Sequence, residues 1–224
     1  EAEAERVGAQ LFRQGVEWDV YEQASRVVVQ TTDRLMEFQR PTLRGRHQID
    51  NAGLAVATFH ALDMLPDSFD RDMEWTLYNT FLPGRLTPLR GAKLDRRIDE
   101  LGGAVWVDAG HNAHAAAALA DYIRPMRSHY GAVIAIVGMR ARKDIDAFLS
   151  ALGPVIDQVV AAPLTEAHVP PKELAERARK LGLQASAAPS LRYAMKEAAR
   201  FPEPLVLICG SFLLAAEALA AESA

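Results

Sequence analysis

A single cysteine among 224 residues rules out an intrachain disulfide framework. Cys209 stands inside the apolar run 205-LVLICG-210, the setting of a buried structural thiol, and a reducing cytoplasm is the compartment to expect. No stretch reaches the roughly 18 uninterrupted apolar residues of a membrane span, and the N-terminus lacks the charged-then-apolar order of a secretion signal. Neither charge sign dominates. With 25 Lys and Arg against 29 Asp and Glu, a formal net charge of -4, nothing offers a general hold to nucleic acid. Two nucleotide motifs are also missing. Without G-x-x-x-x-G-K-[ST] the chain has no Walker-type cradle for a nucleoside triphosphate, and without G-x-G-x-x-G after a strand a nicotinamide dehydrogenase is disfavoured. No Cys/His set has structural zinc spacing, and His111 with His114 is only an i, i+3 pair, so no metal site is expected on this chain. Small-molecule chemistry is the class left standing.

What is present is ordinary globular material, 50% hydrophobic and 24% charged, enough for one large domain or two small ones. The segment 1-EAEAERVGAQLFRQ-14 has the pattern of an amphipathic helix with Val7 and Leu11 on one face and Gly15 as its C-cap. Its abrupt start at Glu1 suggests a chain entered partway, although Glu-Ala repeats also arise as cloning scars. The β-branched run 25-SRVVVQTTD-33 and 34-RLMEFQ-39 form a strand pair ended by Pro41. A helix over 46–62 is predicted to bury Ile49, Leu54, Ala57 and Ala61, and a second over 70–80 stops at 82-LPGR-85. The polar stretch 90-RGAKLDRRIDELGG-103 is a candidate linker.

From 104 onward the pattern changes. Apolar strands at 104–108, 132–138, 155–163 and 204–210 alternate with helices near 111–124, 144–152, 171–181, 190–200 and 211–222. Near-continuous Val/Ile/Leu runs suit strands covered on both faces, so the fold class is α/β: a Rossmann-like open, mostly parallel sheet. Ligands in such sheets gather at the carboxyl ends of strands, here marked by Asp108, Gly138, Pro163 and Gly210. Asp108, His111 and Asn112 crowd one of those ends. Helix capping explains an Asp or an Asn there but not all three groups together, so capping and function stay open as readings. Taken singly, Arg85 suits a solvated residue after a turn, Asn51 a helix-surface amide, and Gly210-Ser211 a loop with an N-cap or an anion site. Asp144 occupies an N-cap position behind the charged pair Arg142 and Lys143.

Taken in order, 15-GVEWD-19, 47-HQIDNAGLAVA-57, 82-LPGRL-86, 106-WVDAGHNAHAA-116, 137-VGMRARKDI-145, 161-AAPL-164 and 207-LICGSF-212 resemble the bifunctional dihydrofolate synthase/folylpolyglutamate synthase family of the Mur-ligase superfamily. One departure is visible: the family usually reads Asp-Gly-Ala-His-Asn-Pro where this chain has 108-DAGHNA-113, with the Asp-to-His spacing kept. Family members are about twice as long. The resemblance therefore implies a C-terminal half: 1–90 as the tail of a Mur-ligase central ATPase domain, 91–103 as a linker and 104–224 as the C-terminal domain. The phosphate loop and the Mg2+ ligands are expected in the other half, so this chain alone should be inactive.

The resemblance also implies a chemistry, in which ATP phosphorylates a carboxylate of dihydropteroate or of a folate's glutamate tail and L-glutamate attacks the acyl phosphate. Asn51 and Arg85 would bind ATP, and Asp108 would reach the nucleotide, through ribose hydroxyls, beside the glutamate site. His111 and Ser211 would hold the incoming glutamate, with Asp108 and His111 as the catalytic pair. Arg142 or Lys143 would face a polyanionic glutamate tail. Replacing Asp108 or Arg85 by Ala is expected to cut ligation while leaving the fold intact. A cytoplasmic monomer acting on small molecules follows, with no nucleic acid or membrane partner. Two rivals remain: a stand-alone nucleotide- or glutamate-binding α/β module, and another Mur-type amino-acid ligase. Nucleotide affinity in the isolated chain, read by calorimetry, favours the module.

Overall fold

The computed structural model describes residues 1–65, 69–90, 94 and 96–223, apart from the side chains of residues 70, 222 and 223. The chain divides into two compact units, Glu1–Phe81 and Leu82–Ala224. The linker expected over 91–103 falls partly on residues 91–93 and 95, outside the described residues. Among the described part of that linker, Arg96–Asp99 is helical.

In the first unit, α1 (Ala2–Val7) ends at Gly8, whose left-handed backbone (φ 69°) caps it. The helix expected to run to Gly15 is therefore cut short. It buries none of its residues, so no tertiary packing extends it past that cap. Three antiparallel strands follow: β1 (Trp18–Gln23), β2 (Arg26–Thr31) and β3 (Leu35–Gln39), in that order across the sheet. The strand pair expected over 25–39 is β2 and β3, and β1 is an addition to it. Ala24 and Ser25 join β1 to β2 with φ of 49° and 66°, the twist that suits a two-residue hairpin. Val27 opposes Phe38 and Val29 opposes Met36. With Trp18 and Val20 they form one apolar face.

That face meets α2 (Arg46–Ala61), which buries Ile49, Ala52, Gly53, Val56 and Ala57, while α3 (Phe69–Asn79) adds Phe69. The buried stripe thus steps 49, 52, 53, 56, 57, and Leu54 and Ala61, expected inside, are exposed. Gly53 sets the helix-to-sheet distance, because a Cβ there would stand 2.6 Å from the Val20 Cβ.

The second unit holds β4 (Thr87–Leu89), α4 (Arg96–Asp99), β5 (Ala104–Val107), α5 (Ala113–Ile123), β6 (Ala132–Val137), α6 (Ile145–Leu152), β7 (Gln158–Ala161), α7 (Pro171–Lys180), β8 (Ala185–Ala187), α8 (Leu191–Ala198), β9 (Pro204–Cys209) and α9 (Phe212–Ser223). Its sheet runs β4-β5-β9-β6-β7-β8; β4 is antiparallel to β5 and the remaining pairs are parallel. The open, mostly parallel sheet is the fold class the apolar runs imply. Residues 82–90, grouped with the first domain by sequence, belong to this second unit, because β4 pairs with β5 as an edge strand that tolerates Pro88. The strand expected over 155–163 is shorter, since Gly153–Val155 turns as a 3-10 helix before β7.

Strand alternation builds two cores. Val133, Ala135 and Val137 of β6 point toward α5, α6 and α7, whose Leu119, Ile123, Phe148, Leu149 and Leu174 are fully buried. Ile134 and Ile136 point the other way, toward Ile98 of α4, Leu191 and Ala194 of α8, and Leu214 of α9. Consequently α5 and α9, which follow the adjacent strands β5 and β9, pack on opposite faces of the sheet. Their departure in opposite directions opens a crevice beyond the strand ends, the position where open α/β sheets hold ligands.

Candidate functional site

Three loops of the second unit converge at that crevice. The first, 82-LPGRL-86, turns through Gly84 (φ 77°) and Leu86 (φ 46°), two left-handed residues that flank Arg85. Leucine rarely adopts this conformation, and Leu86 is nevertheless 1% exposed within the core. It is held there by the second loop, 108-DAGHN-112. The Leu86 N–H donates to Asp108 Oδ2 at 2.9 Å, and the Ala109 N–H donates to the Gly84 carbonyl at 2.8 Å. Asp108 Oδ1 accepts from the Gly110 N–H at 2.7 Å, closing its own turn. The third loop, 209-CGS-211, is tied in by the Gly210 N–H, which donates to the Gly110 carbonyl at 2.9 Å. Gly210 has φ 97°, and a Cβ there would meet the Gly138 carbonyl oxygen at 2.9 Å, so the approach of β9 to β6 admits only glycine.

On this frame sit the candidate groups. Asp108 is 4% exposed and faces inward, both carboxylate oxygens accepting backbone N–H groups from the two loops. Its geometry is that of a brace, whereas the resemblance implied a contact with ribose hydroxyls. Substitution at Asp108 is thus expected to affect the fold as well, contrary to the sequence-based expectation. His111 is half-buried, with Nδ1 at 3.0 Å from the Ala109 carbonyl. Donation from Nδ1 leaves Nε2 of the neutral ring as an acceptor. Asn112 is the N-cap of α5, its Oδ1 accepting from the Ala115 N–H at 2.8 Å. Capping therefore accounts for the amide and leaves the imidazole and carboxylate to be explained otherwise.

Arg85 bends back so that its Nη1 donates to the Gly84 carbonyl at 3.2 Å. Its guanidinium carbon lies 5.4 Å from the centre of the Phe212 ring, and that ring is 5.6 Å from the His111 ring. Ser211, 6% exposed, caps α9 by accepting from the Leu213 N–H at 3.1 Å and keeps its own hydroxyl proton to donate. Phe212, in 207-LICGSF-212, meets two residues distant in sequence, contacts that no local pattern reveals.

Lys143 is exposed on the loop between β6 and α6, and Asp144 caps α6 by accepting from the Ala147 N–H at 3.0 Å. Asn51 lies on α2 in the first unit, exposed, and its amide donates to Gln48 Oε1 at 3.2 Å. It is thus in a different unit from Arg85, Asp108, His111 and Ser211. Cys209, the residue before Gly210, is wholly buried, and burial, aided by the nearby Asp108 carboxylate, pushes its thiol far above the usual range. Among the described residues, no group of three or more His, Cys, Asp or Glu is arranged to hold a metal ion. Among them too, no helix is long and apolar enough to cross a membrane.

An open, mostly parallel sheet with an antiparallel edge strand and polar groups where β5 and β9 end is an α/β domain built to hold a ligand at its strand ends. Residues 96–212 match the family model described as Mur ligase, glutamate ligase domain, and the chain belongs to that family. A Haemophilus influenzae dihydrofolate synthase/folylpolyglutamate synthase is 29% identical over 168 residues, 70% of this chain and 36% of the relative. The crystal structure of bifunctional folylpolyglutamate synthase/dihydrofolate synthase from Yersinia pestis, complexed with AMPPNP and Mn ion, is similar with a TM-score of 0.80 and 28% identity. That likeness covers 99% of this chain and 49% of the other. A further bifunctional folylpolyglutamate synthase/dihydrofolate synthase structure, with Mn, AMPPNP and L-glutamate bound, gives 0.76 at 26% identity, over 99% and 50% of the two chains. The chain thus spans about a third of the curated relative and half of the solved ones.

Proposed function

We propose that this chain is the C-terminal half of an ATP-dependent ligase that adds L-glutamate to dihydropteroate or to the glutamate tail of a folate. The observation that carries the reading is the convergence of Arg85, His111 and Ser211 on the β5/β9 crevice of a Mur-ligase glutamate ligase domain. The bound ligands named for the similar structures, AMPPNP, Mn and L-glutamate, agree with it. So does the first unit, which leaves Leu54, Phe59, Leu62, Met64, Trp75 and Tyr78 exposed, as suits a unit that packs against further protein. On this reading 1–81 is the tail of the central ATPase domain.

A carboxylate is a poor electrophile. Transfer of the ATP γ-phosphoryl group to it forms an acyl phosphate and ADP; the glutamate amine then attacks the acyl carbon, an amide forms and phosphate leaves. Such a site must bring three reactants together and neutralise phosphate charge. Arg85 supplies a fixed cation for phosphate oxygens. His111 Nε2 accepts from the glutamate ammonium, and the Ser211 hydroxyl donates to a glutamate carboxylate. Asp108 supports both by locking the Arg85 turn to the His111 loop. Lys143 meets the further carboxylates of a glutamate tail, and on the first unit, taken by itself, Asn51 offers a side-chain amide for nucleotide binding. A divalent ion accompanying the nucleotide would be held by residues outside this chain and would offset phosphate charge.

The test is kinetic. In the full-length ligase, Arg85→Ala is expected to raise KM for ATP, and His111→Ala that for L-glutamate, about tenfold or more, the loss of one charge-assisted contact. Glutamate incorporation at wild-type KM and kcat in both variants would sink the assignment.

A further inference from the structure

We infer that Phe212 is a positioning residue that couples the two binding groups of the proposed ligase site, holding Arg85 and His111 in one relative arrangement. The inference rests on the ligase reading above and goes beyond it, because Phe212 touches neither reactant in that account.

Phe212 is the first residue of α9, and its location is over-determined from the backbone side. Gly210 is locked to Gly110, and Ser211 caps the helix immediately before it. Leu214 and Ala215, two and three residues further on, are buried, yet Phe212 is 57% exposed. Burial in the core therefore does not explain an aromatic side chain here. What the ring does touch is specific: the Arg85 guanidinium 5.4 Å from its centre, within cation–π range, and the His111 ring 5.6 Å away at a tilt of 56°.

Both partners need such a support. Arg85 has four rotatable side-chain bonds, and the other anchor of its guanidinium is a 3.2 Å hydrogen bond to the preceding residue's carbonyl. His111 is steered at Nδ1 by the Ala109 carbonyl, which restrains one edge of the ring and leaves rotation to be limited by packing. The phenyl ring limits both motions at once, and because it is mounted on α9 it joins the β5 loop, the 82–86 turn and the end of β9 into one unit. A residue between the phosphate-binding cation and the amine-binding imidazole sets their separation.

The test is Phe212→Leu against Phe212→Tyr in the full-length ligase. Leucine keeps apolar bulk and removes the ring quadrupole, so KM for ATP and KM for L-glutamate should rise together, each about two- to fivefold, the equivalent of one exposed cation–π contact. Tyrosine keeps the ring face and should restore both. The ring-proton resonances of His111 should move in Phe212→Leu, since the ring current is gone, and the melting temperature should not, since the side chain is exposed. Unchanged KM values, a rise in one alone, or unmoved His111 resonances would overturn the inference. Arg85→Ala and His111→Ala separate the two levels: if they also leave both KM values unchanged, the ligase reading fails, whereas if they raise them and Phe212→Leu does not, this inference fails alone.

Discussion

Removing the Asp108 carboxylate tests the brace at the β5/β9 crevice directly. In Asp108→Ala, the Leu86 and Gly110 N–H groups lose acceptors at 2.9 and 2.7 Å, in a place where Asp108 and Leu86 are 4% and 1% exposed. A buried donor left unpaired costs about 1–3 kcal/mol. Two of them give about 2–6 kcal/mol, and relaxation of Leu86 out of its φ of 46° returns roughly 1–2 kcal/mol. A net loss of about 3 kcal/mol is expected, a large share of the ~5–15 kcal/mol of a typical domain. Asp108→Asn keeps one carbonyl oxygen and turns an NH2 toward the second donor, so about half that loss or slightly more is expected. Urea unfolding of the second unit measures the total. Hydrogen exchange at the Leu86 and Gly110 amides localises it, because both should lose protection while the β6 amides keep theirs. An unfolding free energy within ~0.5 kcal/mol of wild type, with both amides still protected, would refute the bracing role.

Two further outcomes are expected. Gly53→Ala forces a methyl to within 2.6 Å of the Val20 Cβ, so despite a helix-propensity gain of about 1 kcal/mol it should destabilise the first unit by roughly 1–2 kcal/mol in chemical denaturation; a stabilised variant would show that α2 shifts freely on the sheet. Burial holds the Cys209 thiol protonated well past neutral pH, so the folded protein should resist iodoacetamide up to pH 9 and react on unfolding; rapid alkylation of the native protein would contradict that burial.

Legibility in the sequence followed the strength of local patterns. The apolar runs of β5, β6 and β9 are four to six residues long and covered on both faces, so composition alone marks them. By contrast, β1 carries only Trp18 and Val20 as buried residues, and its hairpin turn is Ala24-Ser25 in place of the Asn-Gly that signals such a turn. β4 and β8 are three residues each, one containing Pro88 and the other reading Ala-Ser-Ala, so pairing with a neighbour is what makes them strands. The Gly8 stop of α1 is masked in the sequence because Val7 and Leu11 keep helical spacing across it; where a helix buries none of its residues, spacing does not prolong it.

By itself the sequence determined the class of fold, the family resemblance and the crowding of Asp108, His111 and Asn112 at one strand end, because each is written in contiguous residues. Tertiary structure decided what those residues do there. Asp108 turns inward because the 82–86 turn, 22 residues away from it at Leu86, presents an N–H that needs an acceptor. Arg85 and His111 each meet Phe212, which arrives from more than 100 residues further along the chain. Hydrogen bonds and ring contacts of this kind depend on distance in space, and only the sheet order that places β9 beside β5 creates it.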